Sequence, residues 1–387
     1  MSEGGIPARR YGERLAAARH AAESAGVDAL LVGVGADLRY LAGYAAMPLE
    51  RLTLLVVPAV EGAPMTLVAP RLEATPARTC PAAATGAVTV TTWEETEDPM
   101  TLVASVLTKA LGREPAAVAV SDGLRAAFVL GLQGELPGAR FSLASAVLRS
   151  VRMRKDDDEV ALLRAAAQAA DRVVAAIVAG PLVGRTEADV AREVRERLVD
   201  EGHDAASFWI VASGPNSASP HHEPGSRTIG AGEAVVIDIG GTIGGYGSDI
   251  TRTIWVSGGN PALGPHADFR RLYGVLRDAQ AAATAAVRHG VACERIDAEA
   301  RGRIDAAGFG PQFFHRTGHG IGLEGHEDPY IVAGNGETLA TGMAFSVEPG
   351  IYLEGRFGAR IEDIVVCGDA GPIVLNELSR ELLVVHG

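Results

Sequence analysis

Cysteine is scarce in this chain of 387 residues: Cys80, Cys293 and Cys367 stand far apart, without any CxxC spacing. An odd, scattered set excludes a disulfide framework and reads as small buried apolar residues with reduced thiols, as expected in the cytoplasm. Long hydrophobic runs are missing too. No apolar stretch approaches the ~20 residues of a membrane span. The N-terminal MSEGGIPARR carries charge from Glu3 onward and has no apolar h-region, so it does not read as a secretory signal. Positive charge is also in short supply, with 35 Lys and Arg against 48 Asp and Glu for a net charge of −13. That balance argues against a nucleic-acid or anionic-membrane partner and otherwise serves solubility.

What is present is enough apolar material, 47% of residues, for full cores in two domains. Over residues 1–150, helical patterns (8–26, 102–111) alternate with strand-like runs (28–34, 51–58, 64–70, 87–93, 117–122), which predicts an α/β layer domain. The charge-rich segment SVRMRKDDDEV (150–160) marks the boundary to a second domain, 151–387. There two helix pairs are expected, 159–180 with a second helix from Thr186 to about Gly202, then 267–290 with 294–308. The TEAD string at Thr186 resembles a capping box with Asp189 at N3. Each pair is followed by a predicted hairpin, 234–240 with 248–256 and 343–352 with 358–366, giving an α+β plan in which two hairpins face a cleft.

Five residues that can bind metal lie in distinctive strings along this second domain: Asp238 in VVIDIGG, Asp249 in YGSDITRT, His319 in HRTGHGIG, Glu348 in FSVEPGIY and Glu362 in ARIEDIVV. A single acid of this kind would read as a surface carboxylate. VVID and FSVE, however, set acids beside apolar strand residues, where an unpaired charge costs several kcal/mol. Two divalent cations would neutralise four carboxylates. Asp238 is expected to end one strand and Asp249 to begin the next, with Asp249, Thr251 and Thr253 on one face. Glu348 and Glu362 repeat the arrangement in the second hairpin, with Arg360 two residues before Glu362 as its orienting partner. A carboxylate-rich set suits Mn2+, with Co2+, Fe2+ and Zn2+ also compatible. Asp249 and Glu362 are placed to bridge two ions, and a water shared between such ions ionises near neutral pH and becomes a nucleophile for amide or ester hydrolysis.

These motifs resemble those of the metallopeptidases with the creatinase-like pita-bread fold, in the Xaa-Pro branch of prolidases and aminopeptidase P. The likeness is nearest to actinobacterial-type Xaa-Pro dipeptidases. It extends over nearly the whole chain, through DLRYLAGY (37–44), RMRKDDDEVALLRAAA (152–167) and GPNSASPHHEPG (214–225). The resemblance implies a creatinase/prolidase-like N-terminal domain and a pita-bread catalytic domain that hydrolyses Xaa-Pro bonds in dipeptides or short peptides. It further implies that Asp238 binds one metal, Asp249 and Glu362 bridge both, and His319 and Glu348 bind the second. Glu348 would also shuttle a proton, His221 and His326 would contact substrate and stabilise the tetrahedral intermediate, and His315 would complete the site. A cytoplasmic homodimer is implied as well. One position departs from the pattern. Where several prolidases carry an arginine that grips the dipeptide carboxylate, this chain has Tyr330, which gives one neutral hydrogen bond and no bidentate ion pair. Arg360 or another arginine is then expected to substitute. The competing reading is a metal-binding but non-catalytic interaction module on the same fold.

Overall fold

The computed structural model describes residues 5–386. The chain divides into two compact units, Ile6–Arg152 and the part from Met153 onward. The first is built on a six-stranded mixed sheet, with β1 (Ala29–Gly33), β2 (Leu54–Pro58), β3 (Thr66–Pro70), β4 (Thr89–Trp93), β5 (Ala117–Val120) and β6 (Arg140–Leu143) in the order β4-β3-β2-β1-β5-β6. β1, β2, β3 and β5 are buried along their whole length, which explains their near-continuous Leu and Val runs. Leu31, Val56, Val68 and Val118 pack against Val103 and Leu107 of the helix Pro99–Leu111 and against Leu132. The two strands expected at 51–58 and 64–70 form, each shortened at its start.

The second unit has two helix pairs, each laid on its own sheet. Helix Asp157–Ala179 opens with a full capping box between Asp156 and Glu159, so the acidic run DDDE serves as a helix start. Helix Glu187–Asp200 follows, with Thr186 Oγ1 accepting from the Asp189 N–H at 3.0 Å. These two cover a sheet of β7 (Ala205–Ser213), β8 (Glu233–Ile243), the short β9 (Tyr246–Gly247) and β10 (Ile250–Val256). Val173, Ile177, Val190 and Val194 pack on Val235, Ile237, Ile239, Ile250 and Ile254. Period-two alternation along β8 then turns Asp238 to the opposite face.

Helices Ala267–Ala286 and Cys293–Ala306 cover the second half in the same way, with Phe269, Leu272, Leu276 and Ile296 against Phe345, Val347, Ile351 and Val365. That half holds β11 (Gly318–Gly320), β12 (Glu327–Ile331), β13 (Ala344–Val347), β14 (Gly350–Leu353), β15 (Phe357–Arg360), β16 (Asp363–Gly368) and β17 (Gly371–Val374); β18 (Val384–Val385) returns to pair with β10.

Two features differ from the sequence expectation. Asp238 lies inside β8 and does not end it, because Gly244 and Gly245 form a tight turn with φ of 58° and 86° that extends the pairing to Thr242↔Gly247 and Ile243↔Tyr246. The second hairpin is broken in the middle: β13 pairs with β16 in a five-stranded sheet, whereas β14 pairs with β15 as a separate two-stranded ribbon. The break falls at Glu348 on one strand and at Ile361 and Glu362 on the other. Their backbone N–H groups leave the ladder. Glu348 N donates to the Thr317 carbonyl at 2.8 Å and Glu362 N to the Thr251 carbonyl at 3.1 Å.

Candidate metal centre and active site

The faces of the two halves turned away from their helices line a cavity of about 930 Å³ that contains Asp238, Asp249, His319, Glu348, Glu362, Arg360, His221, His315 and His326. Asp249, His319 and Glu362, all buried, offer ligand atoms within 4.8 Å of one another. His319 Nε2 lies 3.2 Å from Glu348 Oε1 and 3.6 Å from Asp249 Oδ2. On its other edge His319 Nδ1 lies 3.1 Å from the Gly320 carbonyl, an arrangement in which Nδ1–H donates and Nε2 is left to face the cavity. The glycines of TGHG make this possible, since a Cβ on Gly318 would overlap the Ser346 carbonyl and one on Gly320 the Asp328 carbonyl. Ser346 adds two contacts, accepting from His319 N–H and donating to Glu348 Oε1, each at 3.1 Å.

Asp249, Thr251 and Thr253 share the cavity face of their strand. Thr251 Oγ1 donates to Glu362 Oε2 at 2.6 Å, and Thr253 exchanges hydrogen bonds with the Arg360 backbone at 2.9 and 3.0 Å. Arg360 is buried, and all three of its guanidinium nitrogens are engaged within the protein: Nε with Thr251 Oγ1 (3.0 Å), Nη1 with Tyr352 Oη (2.7 Å), and Nη2 with Asp238 Oδ2. It therefore orients Asp238 in the opposite half as well as flanking Glu362. Tyr352 Oη continues the chain to His315 Nε2 at 3.1 Å, and His315 Nδ1–H donates to the Arg316 carbonyl at 2.8 Å.

Two buried oxygens, Asp238 Oδ1 and Glu362 Oε1, accept no hydrogen bond from the described residues. Burial raises the pKa of Asp238 against the pull of Arg360. Burial, reinforced by neighbouring carboxylates, pushes Asp249 and Glu362 well above the usual carboxylate range. Burial opposes ionisation of Glu348 also, but the His319 hydrogen bond and charge outweigh it and hold Glu348 at about 2. Orphaned buried oxygens and mutually repelling carboxylates are what bound cations relieve, and the O and N donors suit hard or borderline divalent ions. The residues present fit such a group.

The two remaining histidines stand at the exposed side of the cavity. Desolvation, aided by His319 and Arg316, lowers His326 to about 4, so its ring is neutral at physiological pH; it lies over His319 with ring centroids 3.9 Å apart. His221 is carried by the loop after β7. Glu187, fully buried at the start of its helix, clamps that loop by accepting from Ser213 N (2.7 Å), Ser213 Oγ (2.7 Å), Asn216 Nδ2 (3.0 Å) and His222 Nε2 (2.7 Å). His222 thus points away from the cavity while His221 lines it. Tyr330 pairs with His319 across β11 and β12, yet its ring lies beneath the Arg316 guanidinium and does not line the cavity. Sequence reasoning passed over Tyr352, Thr251 as a donor, Arg316 and the apolar wall of Phe208, Ile210 and Phe314. Tyr352 sat within FSVEPGIY, Arg316 within HRTGHGIG and Thr251 within YGSDITRT, which was the available signal; Phe208, Ile210 and Phe314 are placed at the cavity only by the fold.

The fold and the donor set define a two-domain metallohydrolase of the pita-bread type. Residues 161–369 match the model of metallopeptidase family M24 and residues 14–154 match the creatinase/prolidase N-terminal domain. The chain belongs to metallopeptidase family M24 and is an enzyme of that class. It is 47% identical over 376 residues to a probable dipeptidase, PepE, of Mycobacterium tuberculosis, covering 97% of this chain and 96% of that protein. An Xaa-Pro dipeptidase of Lactobacillus helveticus is 33% identical, with 90% and 92% covered. The crystal structure of dipeptidase PepE from Mycobacterium ulcerans superposes with a TM-score of 0.91 at 47% identity, covering 99% of this chain and all of that one.

Proposed function

We propose that this enzyme hydrolyses the Xaa-Pro bond of dipeptides, in preference to trimming longer Xaa-Pro peptides, with two divalent ions, Mn2+ foremost, held by Asp238, Asp249, His319, Glu348 and Glu362. The observation that carries the reading is the convergence of four carboxylates and one imidazole, drawn from both halves of the unit, on one cavity. The likeness to the Lactobacillus helveticus Xaa-Pro dipeptidase supports the substrate class.

Bound at this site, such ions supply Lewis acidity that ionises water near neutral pH and polarises a peptide carbonyl. Glu348 takes the proton released by the attacking water and delivers it to the proline nitrogen, a poor leaving group until protonated. Arg316 Nη2 lies 3.4 Å from His326 Nδ1, so the His326 proton stays on Nε2 and is donated to the developing oxyanion. His221 contacts the same substrate from the loop that Glu187 clamps. His315, whose pKa burial lowers, holds Tyr352 and through it the Arg360–Asp238 pair. Phe208, Ile210 and Phe314 offer apolar surface to the pyrrolidine ring. The proposal includes a cytoplasmic homodimer as the working form, to be tested by light scattering.

The test is hydrolysis of Ala-Pro, Ala-Ala and Ala-Pro-Ala by the Mn2+-loaded protein, beside a chelated control and a count of metal per chain. Metal-dependent cleavage favouring Ala-Pro is expected. Equal rates on Ala-Pro and Ala-Ala would sink the proline assignment, and preference for Ala-Pro-Ala would make the enzyme an aminopeptidase.

A further inference from the structure

Three consecutive residues, Phe314, His315 and Arg316, line the cavity from a segment that belongs to no helix or strand. Among the described residues, their amides donate to no main-chain carbonyl, so regular pairing does not place them. Both polar members nevertheless act through specific side-chain contacts. His315 Nε2 lies 3.1 Å from Tyr352 Oη, and Arg316 Nη2 lies 3.4 Å from His326 Nδ1.

The segment is held from helix Cys293–Ala306, by two residues one turn apart that do not line the cavity. Asp297, 1% exposed, accepts from Arg301 Nε and Nη2, each at 2.9 Å, and from Thr317 Oγ1 at 2.7 Å. With its plane fixed in this way, the Arg301 guanidinium donates to the Phe313 carbonyl through Nη1 and to the His315 carbonyl through Nη2, both at 2.9 Å. It also lies 4.2 Å from the centre of the Phe313 ring. The pair thus grips the segment at Phe313, His315 and Thr317. Only a guanidinium has enough in-plane donors to hold one carboxylate and two carbonyls together. Seating the helix does not require such a pair, because Cys293, Ile296, Ala300 and Ile304 already pack into the core. A buried ion pair also gains little stability over apolar side chains of similar volume. What this one adds is direction. Building on the peptidase reading above, we propose that Arg301, oriented by Asp297, is a positioning residue for hydrolysis. It sets the segment Phe313–Thr317 so that His315 meets Tyr352 and Arg316 meets His326.

The experiment uses two variants. Arg301→Lys keeps a cation for Asp297 but cannot span both carbonyls. Asp297→Asn/Arg301→Met removes both charges at once and keeps an acceptor for Thr317. Hydrogen–deuterium exchange of the metal-free proteins reads the segment directly, and steady-state kinetics of the Mn2+-loaded proteins on Ala-Pro reads the reaction. Both variants are expected to melt within about 5 °C of wild type. The Phe313 and Thr317 amides, bonded to the Gly310 and Ile331 carbonyls, should exchange about tenfold faster while helix Cys293–Ala306 is unchanged. In the same variants kcat should fall by about 10–100-fold with KM within about threefold, as expected for misplaced catalytic groups. Unchanged local exchange would overturn the assignment. So would a kcat within about twofold of wild type per loaded chain, because the pair would then be structural only. A raised KM with kcat intact would overturn it as well, placing the segment in substrate binding. If both variants unfold below the assay temperature, the pair is a stabilising part of the core and the assignment fails. Failure of the wild type to cleave Ala-Pro would instead remove the peptidase reading, and positioning for hydrolysis with it, whatever the exchange shows.

Discussion

Arg252 offers the sharpest test of how the two halves of the catalytic unit are tied together. It is 3% exposed and lies on β10 between Thr251 and Thr253. Nε donates to the Ser379 carbonyl (2.9 Å), Nη1 to the carbonyls of Thr251 (2.9 Å) and Glu362 (2.7 Å), and Nη2 to Asp363 Oδ1 (2.7 Å) and the Leu378 carbonyl (2.7 Å). Arg252→Met keeps the aliphatic stem and removes every one of these donors. Breaking a buried ion pair from one side costs about 3–5 kcal/mol. Asp363 would retain Arg380 at 2.5 Å and Gln280 at 2.8 Å, which moves its share to the low end or below, about 2 kcal/mol. The buried carbonyl of Glu362 and the part-buried carbonyls of Leu378 and Ser379 each lose a charged donor, adding about 1 kcal/mol apiece. The total is about 5 kcal/mol, or a fall of about 10–20 °C in the melting temperature for a unit of this size. Thermal unfolding of the metal-free protein measures it without linkage to bound ligand. Because the Glu362 carbonyl is one of the groups released, Mn2+ affinity should also fall by about 10–100-fold. A melting shift under about 3 °C with unchanged Mn2+ affinity would refute the view that Arg252 joins the two hairpins and sets Glu362.

Glu348→Gln should melt near wild type yet lose most of its kcat; a loss under about tenfold, ~1.4 kcal/mol of barrier, would remove Glu348 from proton transfer. His326→Ala should lower kcat/KM by about 10²–10³ in steady-state assays, and no change would mean that the oxyanion lies elsewhere. For Glu187, burial acts to raise the carboxyl, but hydrogen bonds from Ser213, His222 and Asn216 outweigh it and depress the folded-state pKa. A depressed carboxylate adds stability that is fully present above its ordinary value of 4.5 and is lost as pH falls below it. Glu187→Gln should therefore lower the melting temperature at neutral pH and flatten the acid limb below pH 4.5; parallel acid limbs for variant and wild type would contradict this.

Much of the site was legible because acids embedded in apolar strand strings are conspicuous. Val235, Ile237 and Ile239 announce a buried face, and period-two alternation then fixes where Asp238 points. The same reasoning put Asp249, Thr251 and Thr253 on one face, as the structure has them. Other features were hidden. Asp238 lies inside its strand because a Gly-Gly turn prolongs the hairpin, and a strand end cannot be read from an acid alone. The break at Glu348 and Glu362 was invisible because FSVEPGIY is apolar on both sides of it, although Pro349 was the local clue, lacking the N–H that a ladder needs. Thr253 and Arg252 work through partners far off in sequence: Thr253 reaches Arg360 across 107 residues and Arg252 reaches Asp363 across 111. Local pattern carries no information about such pairs. Arg360 illustrates the point, since its place beside Glu362 was readable but its grip on Asp238 was not.

The interruption of the second hairpin has a consequence for how readily the ligand set can change. Where β13 and β16 part, the amide of Glu348 turns to Thr317, two residues from His319, and the amide of Glu362 turns to Thr251, two residues from Asp249. Main chain is thus fastened to main chain at each place where one segment carrying a candidate ligand meets the next. Side-chain identity plays no part in those fastenings. The frame should therefore survive exchange of one carboxylate for an amide or an imidazole, so that metal preference can be retuned by substitution while the geometry of the remaining donors is inherited intact.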